Sequence, residues 1–177
     1  MPTPPQFDFL RNGSVASWNK WRDAEGADSR PDLESVDLNG VDLTGVNVAG
    51  ARLIRADLTD ANLTDARLTR AHLTGANLTG ANLTGADLTN ADLAGARLTR
   101  ANLAGATLSS ADLTDARLTR ADLSSADLTD THLSNANLTN ADLAGARLTR
   151  ANLTGANLTG ANLTGANLTG ANLTGAN

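Results

Sequence analysis

The chain has 177 residues, a formal net charge of −5 and a pI near 4.8, and only 2% of its residues are aromatic although 41% are hydrophobic. The acidic balance argues against direct binding of DNA or RNA, because sequence-independent nucleic-acid binders are basic. The absence of Cys excludes disulfides and thiolate metal sites. No apolar run approaches the roughly 18 residues of a membrane span, and the start has no leader pattern. We therefore expect a cytoplasmic protein that does not bind membranes.

Residues 1–30 differ in composition from the rest of the chain and form the first predicted unit, an N-terminal extension with a capping helix. An extended or disordered start at Pro2, Pro4 and Pro5 is expected first. Ser14 then suits the N-cap of a helix running to about Glu25. The start of an array needs such a cap, because an open end exposes strand edges and core.

All four aromatic residues lie in this extension, namely Phe7, Phe9, Trp18 and Trp21. Val15, Trp18 and Trp21 recur at three-residue spacing, so they can share one face of the predicted helix. These aromatic residues are predicted to plug the first coil of the array that follows. An exposed aromatic patch that binds a partner is the alternative.

Residues 31–177 form the second predicted unit, a tandem array with a period of five. Its 29 centres run from Leu33 to Leu173, and every centre is Leu except Val48. The residue two before the centre is Ala at every repeat from Ala51 to Ala171, apart from Thr131. Any core in this unit is therefore built almost entirely from Leu and Ala.

A period of five suits neither a helix nor a plain strand. A helix would spread Ala and Leu around its circumference, and a strand would turn successive Leu residues to opposite faces. The pattern fits a short extended piece followed by a corner that resets the phase. Gly follows the centre by two residues at fourteen corners, which suits a positive φ, and Asn or Asp tolerates that region. Corners with Arg or Ser are predicted to use a turn without positive φ.

This A-(D/N)-L-x-x array, over residues 31–177, resembles the pentapeptide repeat family. The resemblance implies an all-β solenoid, a right-handed quadrilateral β-helix in which four pentapeptides make one coil. About seven coils are then expected, roughly 35 Å in length at the usual strand spacing. Leu would stack in four interior columns with Ala as the smaller inward partner.

All ten Arg residues of the array fall in five Ala-Arg-Leu-(Thr/Ile)-Arg units. With four pentapeptides in a coil, two of these units stack on one side in adjacent coils, placing together Arg97, Arg100, Arg117 and Arg120. Acidic residues on the preceding side are expected within their reach, namely Asp92, Asp112 and Asp115. The cluster is either a solvated face with surface ion pairs or a patch that binds an acidic partner.

No catalytic, cofactor-binding or metal-binding residue is predicted. The two histidines, His72 and His132, are three coils apart, which at about 4.8 Å per coil is too far to share a metal. A convex rod with a filled core also offers no cleft for a small-molecule substrate.

The final repeats form a third predicted feature. From Ala151 onward the sequence repeats Ala-Asn-Leu-Thr-Gly, and no charged side chain follows Arg150. An uncharged, flat terminal coil favours coil-on-coil stacking, so we expect a homodimer through this end, with Leu163, Leu168 and Leu173 at the contact.

The sequence favours a non-enzymatic structural or protein-interaction rod whose protein partner it does not name. The family resemblance implies an alternative, a DNA-mimicking protein that binds type II topoisomerase (gyrase) and protects the cell from its poisons. The charge of −5 is mild for such mimicry, and the array has no inserted loops and no C-terminal dimerising helix. A third candidate is an ice-binding solenoid, because outward Asn and Thr form a regular lattice.

Overall fold

The computed structural model describes residues 6–12, 14–26 and 29–177. Two helices precede the array, α1 (Gln6–Arg11) and α2 (Val15–Glu25). Helix α1 is not predicted by the sequence, because this helix has only six residues and no clear N-cap signal before it. The expected extended start at residues 1–5 lies outside the described residues, and so does the side chain of Phe7. None of the described helices is long and apolar enough to cross a membrane.

The array winds in coils of four pentapeptides. Parallel bridges join each outward residue to its counterpart four pentapeptides later, from the pair Asp32 and Arg52 onward. Four bridged residues in each coil define four faces, which we number by their first member: face 1 at Asp32, face 2 at Asp37, face 3 at Asp42 and face 4 at Asn47. Each bridge in residues 29–177 is a single residue long, because a turn closes every pentapeptide before a strand can extend.

Every corner of the array has the same backbone conformation. The residue two after the centre has a positive φ at the glycines and also at every other residue type, including Arg100 at 60° and Ser110 at 58°. A backbone hydrogen bond from the next Ala to the Leu carbonyl closes each turn, as at Ala101 and Leu98 (3.0 Å). The prediction that Arg and Ser corners avoid positive φ is therefore wrong, because the fixed stacking of coils imposes one turn on all residue types.

On each face of the array, Leu and Ala point inward and stack from coil to coil, and together they form one continuous core. From Ala51 to Ala156 these inward side chains are at most 2% exposed. The one polar residue in the Ala column, Thr131, is also buried, and its Oγ1 donates to the carbonyl of Leu108 at 2.8 Å. The hydroxyl therefore keeps a hydrogen-bond partner, as a buried polar group requires.

The coil made by residues 158–177 is less covered than the coils before it. Leu163 and Leu168 are half-buried there, and Leu173 is 42% exposed. These are the three leucines that the sequence assigned to a self-association contact. Their neighbours are Asn, Thr and Gly, so this surface carries no charged side chain.

Candidate binding surfaces along the coil

Helix α2 lies against face 4 of the first coil and forms hydrogen bonds with its backbone. Trp18 Nε1 donates to the Asn47 carbonyl at 2.8 Å. Asn19 accepts from the Asn47 amide through Oδ1 at 2.8 Å, and its Nδ2 donates to the Gly45 carbonyl at 3.0 Å. Arg22 Nη2 donates to a further carbonyl of this face at 2.8 Å. Three side chains of α2 thus satisfy backbone groups that pair with a neighbouring coil elsewhere in the array.

The aromatic residues of the extension are buried to different degrees. Trp18 is fully buried, whereas Phe9 and Trp21 are half-buried against the core. The rings of Trp18 and Trp21 lie 4.9 Å apart at their centroids and are tilted by 52°. The three described aromatic side chains therefore contact the apolar core of the protein.

The arginine units of the array divide into two groups. The units Arg52/Arg55 and Arg147/Arg150 are ion-paired, each with acidic residues about one coil earlier in the chain. The best formed of these pairs joins Arg150 to Asp130, with Nε to Oδ1 at 2.7 Å and Nη2 to Oδ2 at 2.5 Å. The Asp130 hydrogen bond raises the pKa of Arg150, and the Arg150 hydrogen bond lowers the pKa of Asp130.

The four arginines predicted to stack do so on face 2. Arg97 is bridged to Arg117 in the next coil, and Arg100 and Arg120 occupy the corners that follow. All four are exposed, and no ion pair within residues 29–177 includes any of them. We call these four residues the arginine patch.

The acidic residues expected to reach the arginine patch do not pair with it. Asp92 accepts from the Ala94 amide at 3.0 Å and from Thr74 Oγ1 at 2.8 Å. Asp112 accepts from the Thr114 amide at 2.9 Å. Asp92 and Asp112 therefore bind the backbone or a neighbouring side chain on their own face, and the ion pairs within residues 29–177 do not include Asp115 either, so the predicted pairing is wrong.

Register explains which arginines are paired. In the paired units an acid occupies the bridged position one coil earlier, such as Asp127 below Arg147. The position below Arg117 is Arg97, and the position below Arg97 is Asn77. The side chain one coil earlier is the stacked neighbour, and in the patch that neighbour is never an acid.

Face 3 differs from the other faces because it carries no arginine. Its acidic residues are Asp42, Asp65, Asp122 and Asp142. The carboxylates at the bridged positions accept the amide two residues later, as Asp122 does from Ser124 at 2.9 Å. Hydrogen bonds from the Thr44 side chain and amide hold the pKa of Asp42 below its ordinary value. Face 3 therefore combines acidic residues and neutral asparagines without any basic side chain.

The Asn and Thr lattice is joined by hydrogen bonds within and between coils. Thr64 Oγ1 donates to Asn62 Oδ1 at 2.7 Å, and Asn62 Nδ2 donates to Thr44 Oγ1 of the previous coil at 2.8 Å. The same arrangement recurs at Asn77 with Thr79 and Thr59. These threonine hydroxyls are thus engaged with the protein itself.

The two histidines lie in the same column on face 1. His72 is bridged to Asp92, Asp92 to Asp112, and Asp112 to His132, so the histidine positions are three coils apart. Among the residues that the structure describes, no group of three His, Asp or Glu side chains is arranged to hold a metal ion.

Comparison with known proteins places this architecture in a family. The sequence model described as "Pentapeptide repeats" matches residues 37–75, 76–115, 116–155 and 146–177, in eight copies. No curated protein matches the sequence.

Several solved structures are similar to the chain. A trypsin-treated substitution variant of QnrB1, a plasmid-mediated fluoroquinolone resistance protein, aligns with a TM-score of 0.64 at 23% identity, over 80% of this chain and 76% of the other. A second trypsin-treated variant of QnrB1 gives a TM-score of 0.64 at 24% identity over the same shares. HetL, a pentapeptide repeat protein of the cyanobacterium Nostoc sp. strain PCC 7120 involved in heterocyst differentiation regulation, is 30% identical over 90% of this chain and 95% of its own, with a TM-score of 0.34. The chain, with its coils of four pentapeptides and its Leu and Ala columns, belongs to the pentapeptide repeat family.

Proposed function

We propose that this chain is a non-enzymatic protein-interaction rod and that the arginine patch on face 2 binds an acidic segment of its partner. One observation carries the proposal: Arg97, Arg100, Arg117 and Arg120 are exposed and form no ion pair within residues 29–177, although the chain as a whole is acidic. Stacked like charges repel one another. An acidic ligand would relieve that repulsion.

The geometry of the patch favours an extended partner. Arg97 and Arg117 stand on the bridged positions of adjacent coils, about 4.8 Å apart along the rod. Arg100 and Arg120 repeat that spacing at the neighbouring corner. Four guanidinium groups in two short rows match the spacing of acidic side chains on an extended or helical segment better than a single small anion.

A labelled deca-glutamate peptide is the probe that tests this proposal by fluorescence anisotropy. The variant R97N/R100G/R117N/R120G converts both units into Ala-Asn-Leu-Thr-Gly, the repeat of the final coils. Because this repeat already forms coils in the chain, we expect the variant to fold. We expect it to lose at least about tenfold in affinity, because charged interface contacts are removed together. The control R147N/R150G removes two arginines from face 4. Equal binding of the peptide by the patch variant and the wild type would refute the proposal.

The alternative partner is a type II topoisomerase, and face 3 is the surface that favours it. Face 3 carries four acidic residues and no arginine, so its negative charge resembles that of one phosphate backbone of DNA. Inhibition of gyrase supercoiling, or protection from its poisons, at low micromolar protein would support this function. D122N/D142N should weaken such an effect. If the protein had no effect on gyrase, the alternative function would be rejected and the protein-interaction rod would stand as the proposed function.

We infer a structural role for each end of the array in this chain. Trp18, Asn19 and Arg22 are proposed to close the first coil, since they occupy its face 4 hydrogen-bonding groups. Leu173 is proposed to contact a second copy, because 42% of it is exposed on an uncharged surface. Light scattering that finds a monomer across a wide concentration range would refute the second role, and L173D should abolish any dimer.

A further inference from the structure

A groove lies where α2 and residues 29–30 meet the first three coils, on the edge between faces 4 and 1. Its volume is about 500 Å³. Its basic lining residues are Arg22, Arg30, Arg67, Arg70 and His72, and neutral donors such as Thr69 and Asn90 complete the wall. None of the described lining residues is acidic. The groove is separate from the arginine patch, which lies on the opposite face of the rod.

Arg22 is the buried member of this set. Only 4% of its surface is exposed, and its Nη1 and Nη2 donate to the carbonyls of Ser29 and Ala49, each at 2.8 Å. Its Nε is buried and has no hydrogen-bond partner. Burial lowers the pKa of Arg22, against the attraction of Asp23 and Glu25. The two acceptors of this buried guanidinium are neutral carbonyls, so its positive charge has no ion-pair partner within the described residues and attracts an anion in the adjoining groove.

Arg67 and Arg70 are the second part of the groove. They form the same Ala-Arg-Leu-Thr-Arg unit as the residues of the arginine patch, and no ion pair within residues 29–177 includes them. The stacked positions one coil earlier are Asn47 and Gly50, which supply no carboxylate. The acid one coil later, Asp87, accepts from the amide and hydroxyl of Thr89.

Gly50 lies between two arginines of one corner column. The column runs Arg30, Gly50, Arg70, each one coil from the next. A Cβ built on Gly50 would make an ordinary contact with Arg30 Cγ, at 3.9 Å, so a side chain at this position would not clash with its neighbours. The backbones of Arg30 and Arg70 are separated by two coil spacings, about 10 Å, and both residues line the groove.

We propose that this groove binds a small phosphate-bearing anion with more than one phosphate group. Guanidinium groups bind phosphate oxygens through paired N–H donors, and arginine is the preferred residue for such recognition. Four arginines with neutral hydroxyl and amide donors match several phosphate oxygens, and a volume of about 500 Å³ exceeds what a single phosphate fills. This inference does not rest on the proposed function, because it concerns other residues on another face.

Isothermal titration with inorganic pyrophosphate tests the inference on the full chain. In R67N/R70G the unit becomes Ala-Asn-Leu-Thr-Gly, and its matched control R97N/R100G makes the same sequence change on face 2. We expect R67N/R70G to weaken pyrophosphate binding at least about tenfold and the control to leave it within about twofold. Equal weakening in both variants, or no binding to the wild type, would overturn the proposal.

A second set of variants places charge in the groove itself. G50D adds a carboxylate at a corner type that Asp60 and Asp65 already occupy with positive φ, and G50N adds the isosteric neutral group. We expect G50D to abolish pyrophosphate binding, G50N to retain most of it, and G105D, at a corner on face 3, to have no effect. Asp28 lies outside the described residues, so D28N is titrated as well. If only D28N bound pyrophosphate, the chain's own carboxylate would occupy the groove and the proposal would fail.

Discussion

The segments Ala116–Arg120 and Ala146–Arg150 have the same sequence, Ala-Arg-Leu-Thr-Arg, but different electrostatic surroundings. Arg150 forms a bidentate ion pair with Asp130, and Arg147 lies 3.7 Å from an Asp127 oxygen. Arg117 and Arg120 have no such partner within residues 29–177. Since the local sequence is identical, the difference comes from the residue stacked below. In this fold the charge of a surface is set by pairs of residues that lie one coil apart.

The largest effect is expected when the unpaired region is rebuilt as a copy of the paired one. R97D/R100D turns residues 96–100 into Ala-Asp-Leu-Thr-Asp, the sequence of residues 126–130. Arg117 and Arg120 should then pair with the new carboxylates, as Arg147 and Arg150 do now. We expect deca-glutamate binding to fall by about tenfold or more, because two cations are removed and two are paired.

Two outcomes would separate pairing from loss of charge in this experiment. R97N/R100G removes the same two cations without adding acids, so it should weaken peptide binding less than R97D/R100D. Equal weakening would mean that Arg117 and Arg120 do not pair with the residues below them. A change in circular dichroism would point instead to damage of the coil, which neither sequence is expected to cause.

The second prediction concerns the backbone strain that the two regions share. Arg120 and Arg150 both have a φ of 58°, where a side chain costs about 1–2 kcal/mol relative to glycine. R120G should therefore raise the free energy of unfolding by about 0.5–1 kcal/mol after the greater flexibility of unfolded glycine is subtracted. R150G should gain less, because it also loses the Asp130 pair. Thermal unfolding of the two variants measures the difference, and an equal gain would contradict it.

The coil was predictable from sequence because every repeat carries the same information. Leu and Ala at fixed phase specify the inward column, and four pentapeptides per coil follow from the family resemblance, so the stacking of Arg97 on Arg117 could be anticipated. The positive φ of Arg and Ser corners could not, since their local preference opposes it and the stacked coils override that preference.

The groove could not be predicted from the sequence, for a different reason. It depends on where α2 lies on face 4, and that position follows from Trp18, Asn19 and Arg22 meeting particular backbone groups of the first coil. The sequence identified the helix and its aromatic face. It did not indicate that Arg22 would be buried, because a buried arginine has the same sequence signature as an exposed one.

The third prediction makes the paired region resemble the patch. D127N/D130G converts residues 126–130 to Ala-Asn-Leu-Thr-Gly and leaves Arg147 and Arg150 without their acids. We expect deca-glutamate affinity to rise by about threefold, a modest gain because two freed arginines at an exposed site contribute weakly. The same variant with R147N/R150G is the control and should lose the gain. An unchanged affinity would show that pairing does not limit these arginines.

The smallest effect is expected in the titration of Asp130. The Arg150 hydrogen bond and charge lower its pKa, opposed by a weaker effect of burial. A carboxyl whose pKa is lower in the folded state stabilises the fold above its unfolded pKa of about 3.9, and this stabilisation is lost as the pH falls through the folded pKa. In R150G the pKa of Asp130 should rise, whereas that of Asp42, which is lowered by Thr44 on a face without arginine, should not move. NMR titration of both carboxyls measures this, and a shift common to both would indicate a change in overall charge rather than the loss of a stacked pair.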